Sequence, residues 1–233
     1  LVGNAATGIY AVANKIPTVL FTVPNTFSSA WQFSALAEQT RAEKERFFSN
    51  VYAVYSAIAF VVASGVILTA QLSTRLLAAP DYYESWRYVP VLTLATTFGC
   101  LGSFLSSVYM VEQRSGATLF TTALGAVVNV VGNFFLIQLW GSMGAAVSTL
   151  VSYLLILVVR ALHTRTILRI RWNVPQFLFS ALLLGLQCVM MEADAPLWPV
   201  WSSLCLLAVC LLHASVLLMA ARKVLGGRRR GTS

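Results

Sequence analysis

Charge is scarce in this 233-residue sequence. Only 10% of its residues are Asp, Glu, Lys or Arg, against about 25% in an ordinary soluble domain. Hydrophobic residues make up 58%, and the mean hydropathy is +0.76. A soluble globular domain is excluded; the chain reads as an all-α polytopic membrane protein. Acids are scarcest, with eight in all, and each falls in a loop or at a helix end. This stretch therefore has no proton relay or sodium site built from intramembrane carboxylates, and no pair of catalytic acids. No nucleophile–histidine pair, metal-ligand cluster or cofactor motif appears, so no enzymatic activity, metal or cofactor is expected. The four cysteines, Cys100, Cys188, Cys205 and Cys210, sit inside apolar runs with no zinc or redox spacing and read as small apolar residues. There is no signal peptide and no initiator methionine; the chain opens on Leu1 in what reads as a loop, which is the expectation for a piece of a longer protein.

What is present is a series of apolar runs. Seven segments, at about 7–31, 48–70, 89–111, 117–139, 143–159, 175–191 and 197–221, each have enough apolar residues to cross a hydrocarbon core of about 30 Å. Segments four and five are separated only by a tight turn at Trp140 and Gly141. The net charge of +8 does not point to nucleic acid, because the cations sit at helix ends. With the C-terminus in the cytoplasm, 13 of the 16 cations fall on that side: Arg41, Lys44, Arg46, Arg114, Arg160, Arg165, Arg169, Arg171, Arg222, Lys223, Arg228, Arg229 and Arg230. Arg75 and Arg87 fall outside, and Lys15 lies in the membrane. This is the bias of the positive-inside rule. All six tryptophans, Trp31, Trp86, Trp140, Trp172, Trp198 and Trp201, lie near proposed helix ends, where amphipathic rings favour the interface.

The first segment is unusual. Thr7, Ala11, Asn14 with Lys15, Thr18, Thr22, Asn25, Ser29 and Gln32 recur in steps of three or four, so they share one arc of roughly 100° on a helix. Pro17 and Pro24 bend that register. A polar stripe in a membrane helix requires a partner helix or a water-filled cavity. Lys15 either faces such a cavity and attracts an anionic group, or snorkels toward headgroups two turns away. A second polar line runs through Ser115, Thr118, Thr122, Gly125, Asn129 and Asn133. Its asparagines either hydrogen-bond a neighbouring helix or line a pathway. Gly141, Gly144, Ala145, Ser148 and Ser152 form a small-residue face suited to close helix packing, with a similar face at Gly99, Ser103 and Ser106. His213 and Gln187 stand isolated in their spans. The run from Arg160 to Arg171 reads as a basic loop that orients the chain or meets anionic lipid.

Several stretches resemble the C-terminal half of bacterial polysaccharide flippases of the multidrug/oligosaccharidyl-lipid/polysaccharide exporter superfamily. They are Thr7-Gly8-Ile9-Tyr10-Ala11-Val12-Ala13-Asn14-Lys15-Ile16-Pro17, then Ala30-Trp31-Gln32, Phe47-Phe48-Ser49-Asn50-Val51-Tyr52, Gly125-Ala126-Val127-Val128-Asn129 with Asn133, and Gly141-Ser142-Met143-Gly144-Ala145-Ala146 with Ser152-Tyr153. The resemblance covers about residues 1–170, the five flippase-like spans and the basic loop. Residues 171–233, two further spans and a basic tail, carry no motif of the family, and a proline common at the end of the asparagine-bearing helix is Gln138 here.

The resemblance implies twelve or fourteen spans in two six-helix lobes around a central cavity, of which this chain matches the last seven of fourteen. It implies movement of a sugar repeat on an isoprenoid pyrophosphate across the bacterial cytoplasmic membrane, with membrane lipids and a missing N-terminal lobe or partner chain as the other partners. Lys15 would attract the pyrophosphate, Asn14, Thr18, Thr22, Asn25 and Gln32 would meet sugar hydroxyls, and Asn129 and Asn133 would line the pathway. The alternatives are a multidrug exporter of the same superfamily and a membrane subunit or enzyme of glycan assembly.

Overall fold

A computed structural model describes residues 7–18, Thr22 and 40–230, with side chains to Arg222. Every regular element among these residues is helical. α1 covers residues 7–18, α2 Arg41–Leu68, α3 Ala70–Leu77, α4 Val89–Val111, α5 Ser115–Ile167, α6 Val174–Glu192 and α7 Trp198–Arg230; a 3-10 turn at Pro80–Arg87 precedes α4. Five stretches are long and apolar enough to cross a membrane: Arg41–Leu68, Val89–Val111, Ser115–Ile167, Val174–Glu192 and Trp198–Arg222. The third of these is two spans. Gly141, at φ 56° and ψ −136°, folds α5 back on itself, a backbone conformation open essentially to glycine alone.

Local chemistry sets the boundaries. The Thr40 hydroxyl accepts from the Glu43 N–H at 3.3 Å while the Glu43 carboxylate accepts from the Thr40 N–H at 2.9 Å, a capping box that starts α2. Pro90 and Pro175 occupy the first turns of α4 and α6, where a missing N–H costs nothing. Two expectations are corrected. The stretch 71–88, read as a loop, is helical over most of its length, because α2 breaks at Thr69 and the chain restarts as α3 and the 3-10 turn. At the other end α5 runs on to Ile167, so Arg160, His163 and Arg165 lie on a helix, and the connector shrinks to 168–173.

α4 is the centre of the bundle and packs against both α2 and α5. Phe104 projects from it into Phe48, Tyr52 and Tyr55 of α2, with ring centroids 6.2, 5.4 and 5.3 Å away. Between apolar helices in lipid the drive to associate is close packing and polar bonds, not the hydrophobic effect. The chain uses both. A Cβ on Gly144 would overlap the Leu136 backbone, and Gly132 lies against the Ser148 side chain, so the two arms of α5 approach at backbone distance. α6 and α7 are held to α2 by a polar layer: Gln187 accepts from Ser64 at 2.9 Å and donates to the Ser202 carbonyl and hydroxyl, both at 2.9 Å.

The arginine-rich segments gather at one end of this bundle. Lys44 pairs with Glu112 at 2.8 Å, the Arg169 N–H donates to Glu45 at 3.0 Å, and the Arg171 N–H donates to Ser49 at 2.9 Å. The start of α1 lies at the opposite end, where Gly8 rests on the ring of Tyr82 and Tyr10 meets Tyr88 edge-on at 6.2 Å.

Candidate functional site: the outward polar face of α1

α1 divides sharply into two faces. Ala13 and Ile16 are buried, at 0% and 5% exposure, with Pro17 beside them. Ala11, Asn14, Lys15, Thr18 and Thr22 are all exposed. The stripe seen in the sequence therefore turns away from this chain's own core. Asn25 and Gln32, which extend it, lie outside the described residues. Pro17 supplies no N–H to the carbonyl of Ala13. The neighbouring hydroxyls take local acceptors instead: Thr18 donates to the Asn14 carbonyl at 2.7 Å and Thr22 to the Thr18 carbonyl at 3.2 Å. Lys15 sits seven residues beyond Gly8, about 10 Å along the helix axis. Among the described residues no carboxylate pairs with it.

The asparagines of α5 belong to a second group, joined to α1 at one point. The Asn133 amide donates to the Asn129 side-chain oxygen at 3.1 Å, and the Asn129 amide donates to the Thr149 hydroxyl at 3.4 Å. Ser148 donates to the Asn129 carbonyl at 2.9 Å. Tyr10 of α1 reaches Thr149 at 3.5 Å. Asn129 and Asn133 thus stitch the two arms of α5 together, and Tyr10 ties α1 to that ladder. They are half-buried, and the Asn133 side-chain oxygen is buried with no hydrogen-bond partner. Lys15, Asn14, Thr18 and Thr22 share the open face; Asn129 and Asn133 stand behind it.

Such a face can attract and bind an anionic polyol. One unpaired ammonium flanked by hydroxyls and an amide offers charge for a phosphate and both donors and acceptors for sugar hydroxyls. Among the described residues no group of three or more His, Cys, Asp or Glu side chains is placed to hold a metal.

No protein-family model matches the sequence, and no curated protein matches it. Among solved structures the chain is similar to the lipid II flippase MurJ in an inward closed conformation, with a TM-score of 0.63 and 12% identity. The likeness is one of fold, an all-α bundle of membrane-spanning helices. The similarity takes in 94% of this chain and 48% of the MurJ chain, so the chain spans about half the length of that structure.

Two polar groups were not legible beforehand. Arg160, read as a loop residue, is 5% exposed between α4 and both arms of α5. His213 is buried against Phe60, stacked at 5.9 Å, and held at both ring nitrogens. Gln176 donates to Nδ1 at 3.1 Å and Nε2 faces the Ser180 hydroxyl at 2.9 Å. Because the Gln176 amide nitrogen can only donate, Nδ1 must accept, which assigns the neutral Nε2–H tautomer. His213 is a clamp between α6 and α7. A proton on Nδ1 would break it. The signal for both residues was burial by helices far off in sequence.

Proposed function

We propose that this chain is the C-terminal lobe of a transporter that moves a lipid-linked oligosaccharide, a sugar repeat on an isoprenoid pyrophosphate, across the bacterial cytoplasmic membrane for polysaccharide assembly. The observation that carries this reading is the outward face of α1. A membrane helix exposes Lys15, Asn14, Thr18 and Thr22 away from its own lobe, in a fold similar to half of the lipid II flippase MurJ. A lone cation facing lipid costs about 2.5–3.5 kcal/mol on insertion scales; facing a polar cavity between two lobes, it has a use. Lys15 attracts the pyrophosphate and Asn14, Thr18 and Thr22 bind sugar hydroxyls, a role the sequence pattern also assigns to Asn25 and Gln32. Asn129 and Asn133 support the pathway by fixing the helix behind it. The isoprenoid tail stays in lipid, and the two lobes rock to alternate access. The arginine-rich end, with the C-terminus, faces the cytoplasm.

Deleting the gene tests the reading. Lipid-linked repeats should accumulate on the cytoplasmic face. Single repeats already on the outer face would instead indicate a polymerisation step and overturn it.

A further inference from the structure

Arg160 carries a full charge into the bundle with no acid to meet it. Three of its five N–H groups are placed: Nε on the Thr121 hydroxyl at 3.0 Å, Nη1 on the Gly102 carbonyl at 2.9 Å, and Nη2 on the Thr122 hydroxyl at 2.9 Å. All three acceptors are neutral, and among the described residues no carboxylate pairs with it. Glu112, on the loop after α4, is taken by Lys44. Neutral acceptors offset only part of the desolvation of a buried guanidinium.

The charge lies directly behind a groove. Between the end of α4 and the start of α5, Ser106, Ser115, Thr118 and Thr122 line an open groove with Met110 and Leu119 beside them. Thr122 is the link: it accepts from Arg160 and donates to the Thr118 carbonyl at 2.8 Å. Ser106 likewise rests on the Ser103 carbonyl at 2.7 Å. These are intrahelical resting positions, and each hydroxyl can rotate to donate into the groove. With Arg160 donating to it, Thr122 becomes a better donor in turn. The first turn of α5 contributes its positive end, with Arg114 at the cap and no side chain closing it. Met110 and Leu119 are 53% and 73% exposed, an apolar rim suited to acyl chains rather than to a small ion in water. Thr122 lies seven residues into α5, about 10 Å from its start, at the arginine-rich end.

We propose that this groove binds the phosphate of a membrane amphiphile, with the α4 and α5 hydroxyls as direct ligands and Arg160 as the buried charge that holds the anion. The phosphate belongs either to an anionic phospholipid or to a prenyl pyrophosphate. The site is separate from the face of α1 and does not depend on the transport reading.

Native mass spectrometry of the full protein in detergent tests this, with phosphatidylglycerol, farnesyl pyrophosphate, inorganic phosphate and diacylglycerol as probes. Arg160→Gln removes the charge. Thr118→Tyr fills the groove and leaves the three Arg160 contacts in place, which keeps the test open should Arg160→Gln fail to fold. Removing a unit charge that sits one hydroxyl behind the groove predicts a loss on the order of tenfold or more in affinity. Both variants should lose that much for the lipid-borne phosphates, Arg160→Gln should leave diacylglycerol binding unchanged, and Arg160→Lys should recover part of the loss. Tighter binding of phosphatidylglycerol or of farnesyl pyrophosphate names the source; either supports the site. Equal retention by wild type and both variants overturns it. So does a loss in Arg160→Gln alone, which would make the arginine a helix clamp, and so does full competition by inorganic phosphate.

Discussion

Tyr10 and Thr149, 139 residues apart, meet at 3.5 Å, and through this contact the helix that carries Lys15 is registered on the asparagine ladder of α5. The hydroxyl contact is long, and the ring has a second hold on Tyr88. Tyr10→Phe should therefore cost less than about 1 kcal/mol. Tyr10→Ala, which removes the ring as well, should cost clearly more. Thermal unfolding in detergent separates the two; equal losses would show that the hydroxyl alone holds α1.

Two glycines in α5 should fail for different reasons. Gly141 has open space where a Cβ would stand but a positive φ, so Gly141→Ala should cost about 1–3 kcal/mol of pure backbone strain. At Gly144 the helix is ordinary, and the obstacle is the Leu136 backbone, which has no rotamer to yield. Gly144→Ala should force the two arms of α5 apart and lower the melting temperature more than Gly141→Ala does. The reverse order would contradict this packing.

The clamp on α6 and α7 is polar. Gln187→Leu leaves Ser64 and Ser202 without the partner they share and should destabilise by about 0.6–2 kcal/mol. The accompanying change is faster proteolysis in the connector after α6. A Gln187→Leu protein as stable and resistant as wild type would show that apolar packing alone holds these helices.

One carboxylate supports a pH prediction. Glu45 lies near the N-terminal end of α2, among Arg41, Glu43, Lys44 and Arg46 and before the apolar stretch that starts at Phe47. The Arg169 backbone N–H, with a smaller contribution from Arg41, holds its carboxyl below the usual value of 4.5. A depressed carboxylate contributes stability above its unfolded pKa and loses it as pH falls through the folded one. Wild type should therefore exceed Glu45→Gln in melting temperature at pH 6, and the gap should narrow as pH falls below about 4.5 and through the lower folded-state pKa. A gap that stays as wide once the carboxyl is fully protonated would contradict the ionic origin.

Much of the architecture was legible because membrane spans declare themselves by length, and loops by charge. The turn at Trp140 and Gly141 was visible from a single glycine between two apolar runs. The polar face of α1 was visible because its period is local. What escaped depends on distant partners. Arg160 looked like one more loop arginine, since Gly102, Thr121 and Thr122 lie 58, 39 and 38 residues away. Gln187 and His213 looked isolated because serines, the commonest of polar residues, are their partners. The helices within 71–88 were missed because their polar residues and proline resemble a loop; α3 keeps Leu72, Leu76 and Leu77 exposed instead of buried.

The most direct test of the account is export by Lys15 variants. Lys15→Ala and Lys15→Glu proteins, inserted at wild-type levels, would be scored for polysaccharide at the surface and for lipid-linked repeats inside. The account predicts reduced export with Lys15→Ala and a deeper defect with Lys15→Glu, whose charge repels pyrophosphate, each with repeats accumulating inside. Full-length polysaccharide at wild-type amounts from both variants would contradict it.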